Sequence, residues 1–321
     1  MEIYRDPLGA DEPAHGAVLN IGNFDGVHLG HQAVLRHVVD RAEGLGTVAA
    51  AMTLDPHPVK LLRPRMAPKL LSTLDQRLEL IERTGIQVAL VVPFTHRLAR
   101  MPAETFVKDV LVERLGIQEV YIGANFRFGA DRGGDVALLE RMGPELGFKA
   151  AASPIVEAEG GIVSSTRVRQ TVSEGRVDDA AVMLGRHHFI DGCVLEGKRL
   201  GRKLGFPTLN IEVENEIEPG CGVYVTAVHI PSFGRTFASV TNVGTRPTVY
   251  ENSILTIETH LLDFTADVYR EEVRLFFIKR LRNEVSFPSM ALLMAQIQQD
   301  VEASRLYFLQ YPIESQGFIV P

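Results

Sequence analysis

Cysteine and long apolar runs are both scarce in this chain of 321 residues. The two cysteines, Cys193 and Cys221, would pair only if the fold brought them together, and a reduced cytosolic state is the simpler interpretation. No apolar run has the length of a membrane span. The first residues, MEIYRDPLGADEP, are acidic and contain proline, unlike a signal peptide. The sequence therefore predicts a cytoplasmic protein.

An excess of positive charge is also missing. The chain has 33 Lys and Arg against 40 Asp and Glu, a net charge of −7, which argues against a general nucleic-acid or membrane-surface binder. Its 45% hydrophobic and 23% charged residues are ordinary for a globular enzyme, and its length suffices for two domains. We expect small-molecule partners, while the oligomeric state is left open.

The glycine order G-x-G-x-x-G of dinucleotide-binding turns is absent as well. Instead, the stretch 21–31 (IGNFDGVHLGH) places glycines at 22, 26 and 30 between a short apolar strand and a helix that begins near Gly30. Glycine lets backbone amides approach a ligand, and a helix start offers unpaired N–H groups to phosphate. His28 and His31 would point to one side there and donate to phosphoryl oxygens.

The two histidines have other interpretations. A metal site is disfavoured because no further Cys or His follows at close ligand spacing. Capping or core histidines are the usual outcome for a histidine taken alone. The combination of strand, glycine turn, two histidines and helix is rarer than any of its parts, so a nucleotide-phosphate role is favoured.

Up to about Gly185, apolar strands alternate with helical patterns, which predicts a parallel sheet with helices on both faces. Ligands bind at the carboxyl ends of such strands. The predicted strands include 17–21, 47–52, 88–92 and 119–123, and the predicted helices include 103–115 and 136–146.

After Gly185 the sequence becomes rich in strand patterns, and six short strands in succession predict a small antiparallel barrel. We expect one domain over 1–185 and another over 186–321. A helix starting near Pro288 would cover the barrel, and the last stretch, 310–321, is interpreted as a flexible tail. The strand candidates are 188–195, 208–213, 223–229, 235–243, 256–262 and 272–278, and the covering stripe is Leu293, Ile297, Val301 and Leu306.

Two barrel segments carry candidate chemistry. In GKRLGRKLGFPTLN, glycines would free the backbone to wrap phosphates, and Thr208 and Asn210, two apart on a strand, could ligate Mg²⁺ carried by ATP. The alternative is a glycine-rich turn before an ordinary strand. Glu258 lies within an otherwise apolar strand, where a buried carboxylate needs a partner or a task such as general base. The alternative is a glutamate on the wet side of the barrel.

Two segments of the first half add candidates. In GANFRFG, aromatics and the amide of Asn125 beside Arg127 could hold a base or a flat ring, against the alternative of a packed loop with a surface arginine. In SSTRVR, Ser165, Thr166 and Arg169 could bind phosphate at a helix start, against the alternative of a plain N-cap.

These motifs together carry a resemblance that spans nearly the whole chain. GNFDGVHLGH resembles the H-x-G-H signature of nucleotidyltransferases, in the form found in bacterial bifunctional riboflavin kinase/FAD synthetases. GANFRFG and VSSTRVR resemble further segments of that module, while GKRLGRKLGFPTLN, TNVGTRPT and IETHLLDF resemble the riboflavin kinase module. The family implies a Rossmann-like N-terminal domain and a C-terminal six-stranded barrel with a covering helix.

The resemblance implies two ATP-dependent steps. Riboflavin is phosphorylated to FMN in the barrel, with Glu258 as base and Mg²⁺ held by Thr208 and Asn210. FMN is then adenylylated to FAD, with release of pyrophosphate, aided by His28, His31 and Arg169. The expected nucleotide and phosphate contacts are Gly22, Asn23, Phe24, Asp25, Gly30, Ser165, Thr166, Gly197, Gly201, Arg202, Gly205 and Pro207, and the expected flavin contacts are Asn125 and Arg127.

Two rival classes stay open: an enzyme with only one live site, and a non-catalytic flavin sensor or carrier that keeps the fold. The intact base and histidine pair speak against the sensor, because a binder needs neither. A test of FMN formation alone separates the enzyme classes.

Overall fold

The computed structural model describes residues 1–9, 16–153, 155–158, 160–196, 201, 205–246 and 254–320. It divides into two compact units. The first comprises Met1–Lys69 and Leu74–Ser164, and the second comprises Leu70–Thr73 and Ser165–Pro321. Each unit is built on its own sheet.

The first unit contains a six-stranded sheet in the order β1-β4-β3-β2-β5-β6, with every neighbouring pair parallel. The predicted parallel sheet is therefore confirmed, although its edge strand β1 was not predicted. The strands are β1 (Glu2–Tyr4), β2 (Val18–Ile21), β3 (Ala49–Asp55), β4 (Val88–Pro93), β5 (Glu119–Ile122) and β6 (Lys149–Ala152), followed by a small hairpin of β7 (Glu157–Ala158) and β8 (Gly161–Ile162).

Helices connect these strands. They are α1 (Leu29–Leu45), α2 (Pro58–Leu62), α3 (Leu74–Glu82), α4 (His96–Ala99), α5 (Ala103–Thr105) and α6 (Val136–Leu146). The predicted helix over 103–115 is only partly α-helical, because α5 continues as a π-helix over Phe106–Arg114. The widened turns still direct Phe106, Val110 and Leu111 into the core, so the apolar pattern was satisfied by a different helix type.

Strand β2 occupies a central place, and all four of its residues are buried. The chain first winds to one side of it through β3 and β4, and then crosses to the other side with β5. Ligands of open α/β sheets bind at such a reversal, outside the carboxyl ends of the strands. Gly22 and Asn23 leave β2 at that edge, and Gly123 leaves the adjacent β5 there.

The second unit begins with α7 (Ser165–Ser173) and α8 (Val177–Leu184) and continues into a closed barrel with the strand order β10-β13-β12-β11-β14-β9. All its strand pairs are antiparallel, which confirms the predicted six-stranded barrel. The strands are β9 (His188–Leu195), β10 (Leu209–Val213), β11 (Gly222–Ile230), β12 (Arg235–Arg246), β13 (Ile254–Leu261) and β14 (Glu272–Arg282).

Alternate residues of each strand fill the barrel interior, mostly with aliphatic and aromatic side chains such as Ile190, Val228 and Phe277. A chain of buried hydroxyls interrupts this apolar filling. Thr226 Oγ1 lies 2.7 Å from Ser239 Oγ and 2.7 Å from Thr241 Oγ1, which lies 2.9 Å from Thr259 Oγ1. These three hydrogen bonds connect β11, β12 and β13 inside the barrel.

The helix α9 (Met290–Gln310) packs on the outside of β11 and β12, as the predicted covering helix. Ile297 and Val301 meet Val223 and Val240 there. The predicted stripe is wrong at Leu306, which is 57% exposed, while Ser304 is buried in its place.

The C-terminal stretch is not a free tail. The ring of Phe318 lies 4.5 Å from the ring of Phe276, between centroids, and Gln316 Oε1 lies 3.3 Å from His187 Nε2. Arg274 donates to the Ile319 carbonyl at 2.9 Å. The sequence has no helical periodicity here. Apart from a short 3-10 helix at Ile313–Ser315, these side-chain and backbone contacts are what hold the segment on the barrel.

Candidate active sites

The turn after β2 has an unusual backbone. Phe24 has φ of 51° and Val27 has φ of 36°, both in the left-handed region, and Gly26 between them has φ of 76°. The Val27 N–H closes the turn on the Phe24 carbonyl at 3.0 Å. Helix α1 then begins at Leu29, with His28 as its N-cap. The predicted strand, glycine turn and helix start are therefore all present.

His28 and His31 form a stacked pair, with ring centroids 3.7 Å apart and planes inclined by 17°. The Nδ1 atom of His28 accepts a hydrogen bond from the His31 backbone N–H at 3.3 Å, so the proton of the neutral His28 ring resides on Nε2. Burial, with the nearby His28 and Arg77, lowers the pKa of His31 well below its usual value. The His31 ring is thus neutral at physiological pH.

Glycines leave space for this pair. A Cβ atom at Gly30 would lie 3.1 Å from the His28 ring, and one at Gly22 would lie 3.1 Å from the Phe24 ring. Phe24 in turn meets His31 edge-on, with ring centroids 5.4 Å apart. The two glycines serve close side-chain approach here, in addition to the approach of a ligand that the sequence suggested.

Arg77 was missed by the sequence reasoning. Its guanidinium is buried beside the turn and donates from Nη1 to the Asn23 carbonyl at 3.1 Å and to Thr53 Oγ1 at 3.0 Å. A signal was present, since Arg77 is four positions before the buried Ile81 and therefore shares the apolar face of α3.

Polar atoms of three further side chains of the turn are also buried. Asp25 is 3% exposed, and its charge counteracts the effect of burial on the pKa of Arg77. Within the described part of the chain, Asn23 Oδ1 and His31 Nδ1 are buried without a hydrogen-bond partner. Such groups are suited to a bound polar ligand, because an unpaired buried polar atom is costly.

The loop after β5 is open to solvent. Asn125 and Arg127 are exposed, and Arg127 donates to the carbonyls of Ala124 and Phe126 at 3.3 and 2.9 Å. Phe128 packs inward against Phe106. The loop therefore presents an amide and a guanidinium near the carboxyl end of β5.

The three site candidates of the SSTRVR segment are Ser165, Thr166 and Arg169. They lie in the first half of α7, in the second unit. Ser165 and Arg169 are one helical turn apart and share a face, while Thr166 is exposed in the first turn. The histidine turn belongs to the first unit.

In the barrel, the strand register brings Asn210 opposite Glu258, and Glu258 opposite Asn242. Directly opposite residues of antiparallel strands have Cβ atoms about 4.5–5.5 Å apart. These side chains therefore form a row across β10, β13 and β12 on the outer face. Glu258 is half-buried, so its expected burial was overestimated: it stands on the outward face and not in the interior. The sequence reasoning gave Asn242 no role.

The segment before β10 is held against β13. His260 Nδ1 lies 2.7 Å from the Pro207 carbonyl, and the Phe206 N–H donates to the Gly201 carbonyl at 2.8 Å. A Cβ atom at Gly201 would collide with the Phe206 carbonyl and reach 3.0 Å from Thr208 Oγ1. Gly205 is exposed, with φ of 86°. The candidate residues Gly197 and Arg202 lie outside the described residues.

A cavity of about 420 Å³ opens beside this segment. Its walls combine apolar and aromatic side chains with a few polar ones. They include Pro207, Thr208, Leu209, Leu261, Phe264, Thr265, Asp267, Val268 and Tyr269. Thr208, which lines this cavity, precedes Asn210 of the row by two residues.

Among the described residues, no group of three His, Cys, Asp or Glu side chains could hold a metal ion. The metal candidates Thr208 and Asn210 offer a hydroxyl and an amide oxygen. In the same described part, no helix is long and apolar enough to cross a membrane, and Cys193 and Cys221 are both free thiols.

Known proteins match both halves of the chain. A family model described as FAD synthetase matches residues 10–167, and one described as riboflavin kinase matches residues 184–308. The bifunctional riboflavin kinase/FMN adenylyltransferase of Pseudomonas fluorescens is 39% identical over 91% of this chain and 94% of its own length. That of Haemophilus influenzae is 34% identical over 96% of this chain and 99% of its own.

A solved structure extends the comparison to the fold. The crystal structure described as a macrolide-efflux protein from Streptococcus pneumoniae is 26% identical and superposes with a TM-score of 0.85. The match covers 94% of this chain and 98% of the other.

Proposed function

The chain belongs to the family of bifunctional riboflavin kinase/FMN adenylyltransferases, and we propose that its two reactions use the two sites described above. The enzyme phosphorylates riboflavin with ATP to give FMN, and adenylylates FMN with a second ATP to give FAD and pyrophosphate. We assign adenylyl transfer to residues 1–185 and the kinase reaction to residues 186–321.

In the kinase reaction, Glu258 accepts the proton of the ribityl 5′-hydroxyl as that oxygen attacks the γ-phosphorus of ATP. The bond from the γ-phosphorus to the bridging oxygen breaks, and ADP leaves. The half-exposed position of Glu258 on the outer face supports this role, because the carboxylate can meet a substrate there.

Mg²⁺ fits the same row of side chains. Mg²⁺ prefers oxygen ligands and keeps several waters, so a hydroxyl and an amide oxygen beside ATP phosphates suffice as protein ligands. Thr208 and Asn210 would hold it, and the ion would neutralise charge on the phosphates. Asn210 is placed by its register opposite Glu258.

The cavity next to Thr208 suits the flavin ring. Its Leu261, Phe264 and Tyr269 walls match a flat apolar ring better than a triphosphate. A ring bound there would direct its ribityl chain toward the row that contains Glu258.

In adenylyl transfer, an FMN phosphate oxygen attacks the α-phosphorus of ATP, and the bond to pyrophosphate breaks. The nucleophile is already ionised at neutral pH, so the site contributes alignment and charge stabilisation. His28 and His31 donate to the transferring phosphoryl group, and Arg169 neutralises its charge. The nucleotide and its phosphates contact Gly22, Asn23, Phe24, Asp25, Gly30, Ser165 and Thr166, and the flavin contacts Asn125 and Arg127.

In the kinase reaction, the phosphates of ATP contact the segment before β10. The contacting residues are Gly197, Gly201, Arg202, Gly205 and Pro207. A cytoplasmic location is part of the same proposal and is supported by the two free cysteines.

The register that places Asn210 opposite Glu258 carries the kinase assignment most directly. The test incubates the purified protein with riboflavin, ATP and Mg²⁺ and separates the flavins by chromatography. Formation of FMN followed by FAD is expected, and FMN formation should stop in EDTA. Asn210→Leu should raise the Mg²⁺ concentration needed for half-maximal FMN formation. Glu212→Gln, on the same strand and exposed, is the control that should leave it unchanged.

A further inference from the structure

Arg77 has no role in the reactions as assigned so far, yet it is one of the largest fully buried side chains of the protein. Removing a guanidinium from water is costly, and burial lowers the pKa of Arg77 although Asp25 and Asp55 oppose the effect. A buried charge of this kind persists where the surrounding oxygens compensate it. The position of those oxygens therefore indicates what the side chain does.

The oxygens around Arg77 belong to two segments that frame the histidine turn. One is the Asn23 carbonyl, 3.1 Å from Nη1, which immediately precedes the strained Phe24. The others are Thr53 Oγ1 at 3.0 Å and the Leu54 carbonyl at 3.4 Å, both at the end of β3. Thr53 Oγ1 also donates to the Asn23 carbonyl at 3.3 Å. One guanidinium thus connects the end of β3 to the turn.

We propose that Arg77 is a positioning residue of adenylyl transfer, which holds the Asn23 carbonyl and so fixes the turn that aims His28 and His31. The proposal rests on the assignment of that turn to FAD synthesis. Without the guanidinium, the Asn23 carbonyl loses its main donor, and Phe24, whose ring meets His31, is free to leave its left-handed conformation.

The charge of Arg77 adds to this effect. It is a permanent cation under a site that receives a triphosphate, and in a buried setting such a charge acts on phosphate more strongly than in water. Its influence already extends to His31, whose pKa it helps to lower. The side chain therefore fixes the position of the turn and adds a favourable electrostatic interaction with the phosphates, without touching the substrate.

Two variants separate these contributions from a general role in folding. Arg77→Met removes the hydrogen bonds and the charge, and Arg77→Lys keeps the charge but has no planar fork. We expect Arg77→Met to lower kcat for FAD synthesis about 100-fold, with a much smaller change in KM for ATP. Arg77→Lys should recover about tenfold of this loss. FMN formation by the same chains should stay within twofold of wild type.

Arg83→Met is the matched control, because Arg83 is an exposed arginine just after the same helix and pairs with Glu79 at 3.1 Å. It should change neither activity. The proposal is overturned if Arg77→Met keeps FAD synthesis within threefold of wild type, or if KM for ATP rises while kcat is unchanged. If both Arg77 variants lose both activities, Arg77 serves folding in general and the proposal also fails.

His28→Ala is measured in the same series. Loss of FAD synthesis in His28→Ala but not in Arg77→Met rejects the role of Arg77 alone. Full FAD synthesis in His28→Ala rejects the assignment of the turn, and with it the basis of the proposal.

Discussion

In the first unit, His28 and His31 stack in a buried turn supported by Arg77, while in the second unit Glu258 stands half-exposed between Asn210 and Asn242. The histidine turn depends on individual contacts: a cap, two glycines and a buried cation. The row that contains Glu258 depends on the register of its strands, and many backbone hydrogen bonds together fix that register.

This difference has consequences for mutation. A substitution beside the histidine turn acts on the site through one or two contacts. Replacing a supporting residue such as Arg77 should therefore lower FAD synthesis almost as much as replacing His28 or His31. A change beside Glu258 leaves the register intact, so the effect should be confined to the residue that is replaced. The predictions below test this contrast, starting with the largest effect.

Glu258→Gln should abolish FMN formation while FAD formation from supplied FMN continues. The amide keeps the shape of the carboxylate but cannot accept the proton, and a positioned base is worth about 10²–10⁴ in rate. The measurement is the initial rate of each step, with riboflavin or FMN as the substrate. A kinase rate near wild type would assign Glu258 to structure.

His28→Ala should lower FAD formation about 10²–10³-fold, equivalent to roughly 3–4 kcal/mol, as for loss of one preorganised donor. ATP affinity measured by calorimetry should change much less, because the interaction strengthens in the transition state. FMN formation serves as the folding control. If ATP binding weakens as much as turnover, the histidine is a ground-state ligand.

Acid should destabilise the barrel through His188. Burial lowers the pKa of His188 to about 3, below the value of about 6.5 expected in the unfolded chain. The unfolded state therefore binds the proton more readily, and stability is lost as pH falls below about 6.5. His188→Phe should lose less of its free energy of unfolding than wild type between about pH 7.5 and pH 5.

The matched control is His96→Gln, because His96 is exposed. Denaturant titrations followed by circular dichroism at each pH give the comparison. Equal acid sensitivity of wild type and His188→Phe would show that other groups are responsible.

The smallest expected effect concerns the buried hydroxyls. Thr241→Val removes two hydrogen bonds inside the barrel at nearly constant volume, and each is worth about 0.5–1.5 kcal/mol. The unfolding midpoint should fall slightly. Thr236→Val, on the outward face of the same strand, removes one hydrogen bond, to His229, and should change it less. An unchanged midpoint for Thr241→Val would mean that the hydroxyls are individually dispensable.

Much of this fold was accessible from the sequence, because alternation and turn residues mark the barrel strands locally. All six were predicted within a few residues of their observed ends. The edge strand Glu2–Tyr4 was not predicted, because three residues are too few to show an alternation of apolar and polar side chains. The C-terminal segment was mistaken for a free tail because Phe318 and Ile319 are held by contacts distant in sequence.

The candidate sites divide in the same way. Motif spacing identified the histidine turn, but its glycine spacing did not reveal the left-handed conformations of Phe24 and Val27. Arg77 was overlooked because a single arginine on an apolar helix face acquires its meaning only from the oxygens that β3 and the turn bring to it. Asn242 belongs to the TNVGTRPT segment but was given no role of its own, because register is not visible in one strand alone.

The chain of hydroxyls inside the barrel has a consequence for evolution and for genetic screens. Side chains alternate between the two faces of a strand, so a slip of one residue in β13 would turn Glu258 inward and Thr259 outward. The bonds of Thr259 to Thr241 and of Thr241 to Thr226 penalise that slip. Because the backbone pairing of β13 with β10 and β12 fixes the same register, a selection for lost FMN formation should return these interior threonines in combination and not as single conservative substitutions, although none of them faces the substrate side of the wall.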